Sequence, residues 1–225
     1  MLAIYTCFFG NDKNWANVVL HAIEGVDCYY FTNNATTFKY LSAHGWNPVW
    51  VNIPISDDNM ICSEQTKHLR CCPWEYPELA CYTYLCWVDS KLRITDVNKL
   101  LQMVDALTRS DAVWAFTSHP TAYTDVWGEY TAAIQYEKYA RQKESYKSYI
   151  ESRLLAGYND RIPQRVSCGF SIRKMTPLAK EIGSFWLSEI RECGIEDQIS
   201  FQFVHQKYDT NIVVFPYQFC WSHLS

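Results

Sequence analysis

The sequence predicts an α/β fold with one mostly parallel sheet flanked by helices, and three observations carry that expectation. Short apolar runs alternate with segments of helical spacing, the order that layers helices over a parallel sheet. A chain of 225 residues, 48% hydrophobic and 20% charged, has core enough to fold without covalent staples. No internal repeat, low-complexity tract or Gly/Ser-rich linker marks a boundary, so residues 1–225 read as one domain.

The apolar runs predict strands at Leu2–Phe9, Asp27–Thr32, Val49–Ile53, Tyr82–Val88, Val113–Ser118, Val166–Arg173 and Ile212–Phe215. The first run lacks the charged flank, longer apolar stretch and cleavage signal of a secretory leader, so it reads as a core strand. One helix starts at Thr95 or Asp96 as N-cap and carries Val97, Leu100, Leu101, Val104 and Leu107 on one face. Another starts with Thr176 as cap and Pro177 in its first turn, turns Leu178, Ile182, Phe185 and Trp186 inward, and stops near Gly194. From Trp127 to Leu155 the spacing is helical and heavily polar, the pattern of a solvated face. Tyr130, Tyr136, Tyr139, Tyr146 and Tyr149 along it read as helix packing, with a sugar-stacking surface as the alternative.

Composition excludes several classes of function. A net charge of -4 argues against a general binder of nucleic acid or anionic membranes, and no run approaches the ~20 apolar residues of a spanning helix. Ten cysteines without a C-x-x-C pair or zinc-ribbon spacing read as reduced, buried thiols, which places the protein in the cytoplasm. The eight glycines contain no G-x-G pair, so neither a dinucleotide fingerprint nor a P-loop can be assembled. The absence of G-x-S-x-G and H-E-x-x-H argues against an α/β-hydrolase and a zinc protease.

What remains for an α/β ligand site is a polar group at the carboxyl end of a strand, where open sheets bind ligands. Asp89 in YTYLCWVDSKLRI stands there, directly after an apolar strand, and reads either as a turn residue or as an anchor for a divalent ion on a diphosphate.

These segments, taken together, resemble a known family. IYTCFFG, YYFTNN, WNPVWVN, the Lys67–Arg70 segment K-H-L-R, YTYLCWVDSKLRI, WAFTSHP, VSCGFSIRK and EDQISF follow the order of a small GT-A-type glycosyltransferase. The chain is similar to the plant hexosyltransferase-like, TOD1/MUCI70-type family and to soluble glycosyltransferase domains of large algal (chlorella) DNA viruses. The resemblance implies a GT-A-like domain with a nucleotide-sugar half at about 1–95 and an acceptor half at about 96–225. It implies a hexosyl, deoxyhexosyl or pentosyl transferase that uses a UDP-sugar donor and a carbohydrate acceptor, located in the host cytoplasm if the chain is viral. It also assigns roles. Thr6, Cys7, Phe8 and Asn33 would border the nucleoside, Lys67, Arg70, Asp89 and Lys91 the diphosphate, and His119, Cys168 and Gly169 the sugars. Lys67 and Arg70 lie three apart on one helical face, and their alternative is ordinary surface charge.

The sequence departs from the usual D-x-D, because Lys91 replaces the second acid. Either Asp89 holds Mn²⁺ or Mg²⁺ with a distant ligand, or Lys91 neutralises the leaving diphosphate itself. The family carries a late histidine to the metal, and His223 is the candidate, with a frayed terminus as its alternative; His205 ranks behind it. Asp197, with Glu196 second, is expected either to cap a helix or to serve as the base for the acceptor hydroxyl. Two other classes stay open: a catalytically silent carbohydrate- or nucleotide-binding module, and a sugar nucleotidyltransferase, which should carry a Gly-rich phosphate loop near the start, where this chain has only Gly10.

Overall fold

The computed structural model describes residues 1–11, 22–120, 124–161 and 164–224. Strand β1, Leu2–Phe8, is buried on both faces, as a central parallel strand must be. Its side chains alternate: Ile4 and Phe8 enter one hydrophobic cluster, Ala3, Tyr5 and Cys7 the cluster on the opposite face. Around it run β2 (Asp27–Thr32), β3 (Asn47–Trp50), β4 (Tyr84–Val88), β6 (Trp114–Ser118), β7 (Val166–Lys174) and β8 (Ile212–Phe215), with the short β5 (Leu92–Ile94) and β9 (Trp221–His223) apart from them. The sheet order is β3-β2-β1-β4-β7-β6-β8, and β7 alone runs antiparallel to its neighbours. The mixed α/β architecture with a mostly parallel sheet is therefore as expected.

Two expectations about strands need correction. β3 lies at Asn47–Trp50 rather than Val49–Ile53 and includes Pro48, which an edge strand tolerates because one row of N–H groups is unpaired. The C-terminal tail pairs antiparallel as β9 with β5, Leu92 opposite His223, so His223 belongs to a two-stranded ribbon.

Helices cover both faces. α1 (Ala35–Ser42) and α3 (Val97–Arg109) pack on the Ile4 side; α2 (Asn59–Cys71), α7 (Pro177–Cys193) and α8 (Asp197–Lys207) lie on the other. Asp96 caps α3, accepting from the Lys99 N–H at 3.0 Å, and the buried stripe is Leu100, Met103 and Leu107. Leu101, expected inward, is 48% exposed, because the i, i+3, i+7 stripe turns it away. Thr176 caps α7 as expected, and Gly194 ends it at φ 128°, a backbone conformation glycine adopts without strain. Leu178 and Phe185 are only partly buried, and Ala179, Ile182, Trp186 and Ile190 form the inward face instead. The stretch expected as helical from Trp127 to Leu155 breaks into α4 (Val126–Ala133), α5 (Glu137–Ala140) and α6 (Lys143–Leu155). Tyr146 and Tyr149 pack inside, whereas Tyr136 and Tyr139, at the break, face a cavity. All ten cysteines are free thiols, and all but Cys81 are buried.

One buried cation fixes the helix that matters most. Arg173 of β7 is fully buried and donates to the Cys71 and Arg70 carbonyls at 2.8 and 2.5 Å, with its guanidinium 4.0 Å from the Trp114 ring. These are the orphaned carbonyls at the C-terminus of α2, and a cation there also meets the negative end of the helix dipole. α7 crosses so closely that a Cβ on Gly183 would lie 2.3 Å from the Cys71 carbonyl and 2.8 Å from the Trp74 ring. Gly183→Ala is therefore expected to cost about 1–3 kcal/mol, the scale of overpacking; urea denaturation reads it.

Candidate active site

β4 ends at Val88, and the next residue is pinned from both sides. The Asp89 N–H donates to the Gly169 carbonyl at 2.8 Å, while the Asp89 carbonyl accepts from the Leu92 N–H at 2.8 Å, closing a turn. The carboxylate is thus held at the carboxyl end of the central sheet, with the Lys91 ammonium 3.7 Å from Oδ2. Gly169 leaves room for it, since a Cβ there would sit 3.6 Å from that oxygen and 3.2 Å from Leu92. Lys91 is itself 62% exposed and extends toward solvent.

Lys67 and Arg70 do share a face of α2, but they are not surface charges. Both contact Asp197 Oδ2, with side-chain exposures of 12% and 4%. Arg70 also donates to the Cys168 carbonyl at 3.1 Å and lies 4.6 Å from the Trp186 ring. Burial and the adjacent Arg70 push the Lys67 ammonium down to about 7, with Glu196 and Asp89 pulling the other way. The helix-cap alternative for Asp197 falls to its neighbour: Glu196 is the N-cap of α8 and accepts from the Gln198 N–H at 3.3 Å.

A further carboxylate stands opposite, one that the sequence did not single out. Glu129 of α4 is 4% exposed, pairs with Arg165 and accepts from Gln198 Nε2 at 3.3 Å. Burial outweighs the Arg165 charge and, with help from Glu196, pushes Glu129 up to about 7. The folded state then holds a proton that the unfolded carboxyl, at 4.5, releases. Stability from this group is full below 4.5 and lost as the pH rises toward 7. Glu129→Gln is expected to flatten that slope in melting curves taken across the window.

Two adjoining cavities gather these groups. The first, about 450 Å³, opens over the end of β1 and is lined by Cys7, Phe8 and Phe9. The second, about 500 Å³, is lined by His119, Glu129, Arg165, Cys168, Glu196 and Asp197, with His223 at its edge. Lys67, Arg70, Asp89, Lys91, Lys138 and Tyr139 line both, so four cations stand where the cavities meet. Burial pushes the Lys138 ammonium and the His119 imidazolium down, His119 to about 4 with Arg165 adding to it.

Two of the candidate residues lie elsewhere. Thr6 is fully buried in β1 and lines neither cavity. Asn33 is buried too, and its amide ties the chain locally, accepting from the Gly10 N–H at 3.0 Å and donating to the Ile53 and Pro54 carbonyls. His205 lines a third cavity. Sequence spacing assigns Glu129 and Lys138 to a solvated face and Tyr139 to helix packing or sugar stacking, and Arg165 stands outside any motif; all four line the second cavity.

The donor set bears on a metal. Among the described residues no group of three or more His, Cys, Asp or Glu side chains could hold an ion. The second cavity offers Asp89 and His223. An oxygen and a nitrogen donor are the types a divalent ion accepts, and two protein donors leave most of its coordination to phosphate oxygens and water.

In fold, the chain is similar to mouse xyloside xylosyltransferase 1 in its apo form (TM-score 0.54, 8% identity, 95% of this chain and 84% of that one). It is also similar to core-mannan synthase A from Aspergillus fumigatus in its Mn/GDP form (TM-score 0.52, 10% identity, 99% and 74%). A glycosyltransferase involved in glycosylation of the major capsid of PBCV-1 aligns at TM-score 0.48 and 12% identity, over 96% and 81%. No curated protein matches in sequence. Among the described residues no helix is long and apolar enough to cross a membrane. The TOD1/MUCI70 glycosyltransferase-like domain matches residues 79–222, which include Asp89, Lys91, Glu129, Glu196 and Asp197, and the chain belongs to that family.

Proposed function

We propose that the protein transfers a sugar from a UDP-sugar to a hydroxyl of a carbohydrate acceptor. The observation that supports this reading is the junction of Lys67, Arg70, Lys91 and Lys138 between the two cavities. A nucleotide sugar is a nucleoside and a sugar joined by a diphosphate, and two compartments meeting at a cationic wall match that order. The nucleoside would occupy the compartment at Cys7, Phe8 and Phe9, and the sugar the compartment at Glu129 and Glu196.

The chemistry follows from charge. As the bond from the anomeric carbon to the diphosphate breaks, negative charge grows on the leaving oxygens, and fixed cations there stabilise it more than the bound substrate. Asp197 is the orienting group in this reading: tied to Lys67 and Arg70, it holds both at the junction. The acceptor proton would pass to a carboxylate of the second cavity. Glu129, held up at about 7, is matched to proton transfer near neutral pH, and Glu196 is its neighbour. Asp89 and His223 would hold Mn²⁺ or Mg²⁺ together with the diphosphate, and a bound ion would add Lewis-acid neutralisation of that group.

Turnover tests the reading. Release of the nucleotide from a panel of UDP-, GDP- and CMP-linked sugars, with Mn²⁺ or Mg²⁺ and mixed glycan acceptors, is expected for a UDP-sugar. Release from none of them, with binding retained, would favour the catalytically silent module instead.

A further inference from the structure

Two of the segments that line the second cavity continue beyond it. Helix α8 presents Gln198 there, and one turn later Gln202 lines a separate cavity of about 510 Å³. Residues four apart on a helix share a face, so the two amides follow one line. At the entry to β7 the two cavities lie on either side of one segment, with Arg165 lining the one and its neighbour Gln164 the other. The further wall is Ile212 and Val214 of β8, the edge strand of the large sheet.

The lining is polar and in part unsatisfied. Gln202 is 3% exposed, and its Nε2 donor finds no hydrogen-bond partner among the described residues. A buried donor left unpaired is costly, and such groups call for an explanation. Gln206, by contrast, is committed: it donates to the Asn159 carbonyl at 2.8 Å and accepts from the Asn159 N–H at 2.9 Å, which fixes that wall. Asp209 and Arg161 bring one charge of each sign. Amides, a carboxylate and a guanidinium together offer paired donors and acceptors, which suits the vicinal hydroxyls of a sugar. Only two of the lining residues, Ile212 and Val214, are apolar, so the wall is mainly a polar one.

We propose that this cavity is a second saccharide subsite, which holds a sugar of the acceptor beyond the one that receives the transferred residue. The proposal rests on the reading of the adjoining cavities as a glycosyltransferase site, and it adds that the acceptor is an oligosaccharide.

The test compares the full chain with its Gln202→Leu variant. The probes are methyl glycosides of glucose, mannose, galactose and xylose, and linear trisaccharides of each, titrated by saturation-transfer NMR. At least one trisaccharide is expected to bind about tenfold or more tightly than its monosaccharide. Gln202→Leu should remove that advantage while melting no lower than the parent, because it deletes an unpaired donor. The proposal is overturned if no trisaccharide exceeds its monosaccharide, or if the advantage survives Gln202→Leu. Should that variant fold poorly, Asp209→Asn is read in its place, and an undiminished advantage there overturns the proposal equally. UDP is titrated into the same samples: a trisaccharide advantage that depends on Gln202, without any UDP binding, supports the subsite and contradicts the transfer reading alone.

Discussion

Replacing Asp197 by alanine is expected to lower stability by about 3–5 kcal/mol, the scale of breaking a buried ion pair by removing one partner. The reason is local. Asp197 is the carboxylate that both Lys67 and Arg70 contact, and without it two desolvated cations face each other across the face of α2. For a domain of this size such a loss lowers the melting temperature by on the order of 10 °C. Two companion measurements separate this cause from a lost helix cap, which Glu196 already supplies. Inorganic diphosphate should raise the melting temperature of Asp197→Ala more than that of the parent, because it neutralises the same cations. Glu196→Ala, which removes the cap but leaves Asp197 on both cations, should cost about 1 kcal/mol. A loss below about 1 kcal/mol for Asp197→Ala would show that the cluster does not hold the site together.

Asp89→Asn is expected to act in the opposite manner, sparing the fold and removing the activity. The side chain is one-third exposed, and its main chain, rather than its carboxylate, makes the bonds to Gly169 and Leu92. Stability should stay within about 0.5 kcal/mol. Turnover of the UDP-sugar should fall by about 10²-fold or more, the scale of losing one well-placed electrostatic group at a reacting centre. Any stabilisation by Mn²⁺ with UDP should disappear as well. Unchanged turnover per folded molecule would remove Asp89 from the chemistry.

Much of this architecture is legible in the sequence, and the gaps have physical causes. Central strands such as β1 and β4 are continuous apolar runs, so their burial is written in composition, and Asp89 stands out because a charge directly ends one of them. β5 and β9 are three residues each, too short for periodicity to register, and what holds them together is mutual pairing of Leu92 with His223 across the chain. The shared face of Lys67 and Arg70 follows from helical spacing. Their joint partner, 130 residues away from Lys67, does not. Glu129 belongs to no motif, and only the packing of α4 on α8 buries that carboxylate beside Arg165 and Gln198. Thr6 stands beside Cys7 in sequence, yet strand alternation turns the two side chains apart, and Asn33 is spent on the loops at Gly10 and Ile53.

In this reading a diphosphate bridges the two cavities at the cationic junction. Calorimetric titration of UDP, UMP and uridine into the parent chain tests it most directly, at 50 and 200 mM salt. UDP is expected to bind far tighter than UMP, with uridine weakest, and its affinity is expected to fall as salt screens the lysines. Equal affinities for the three, or an affinity for UDP insensitive to salt, would contradict it.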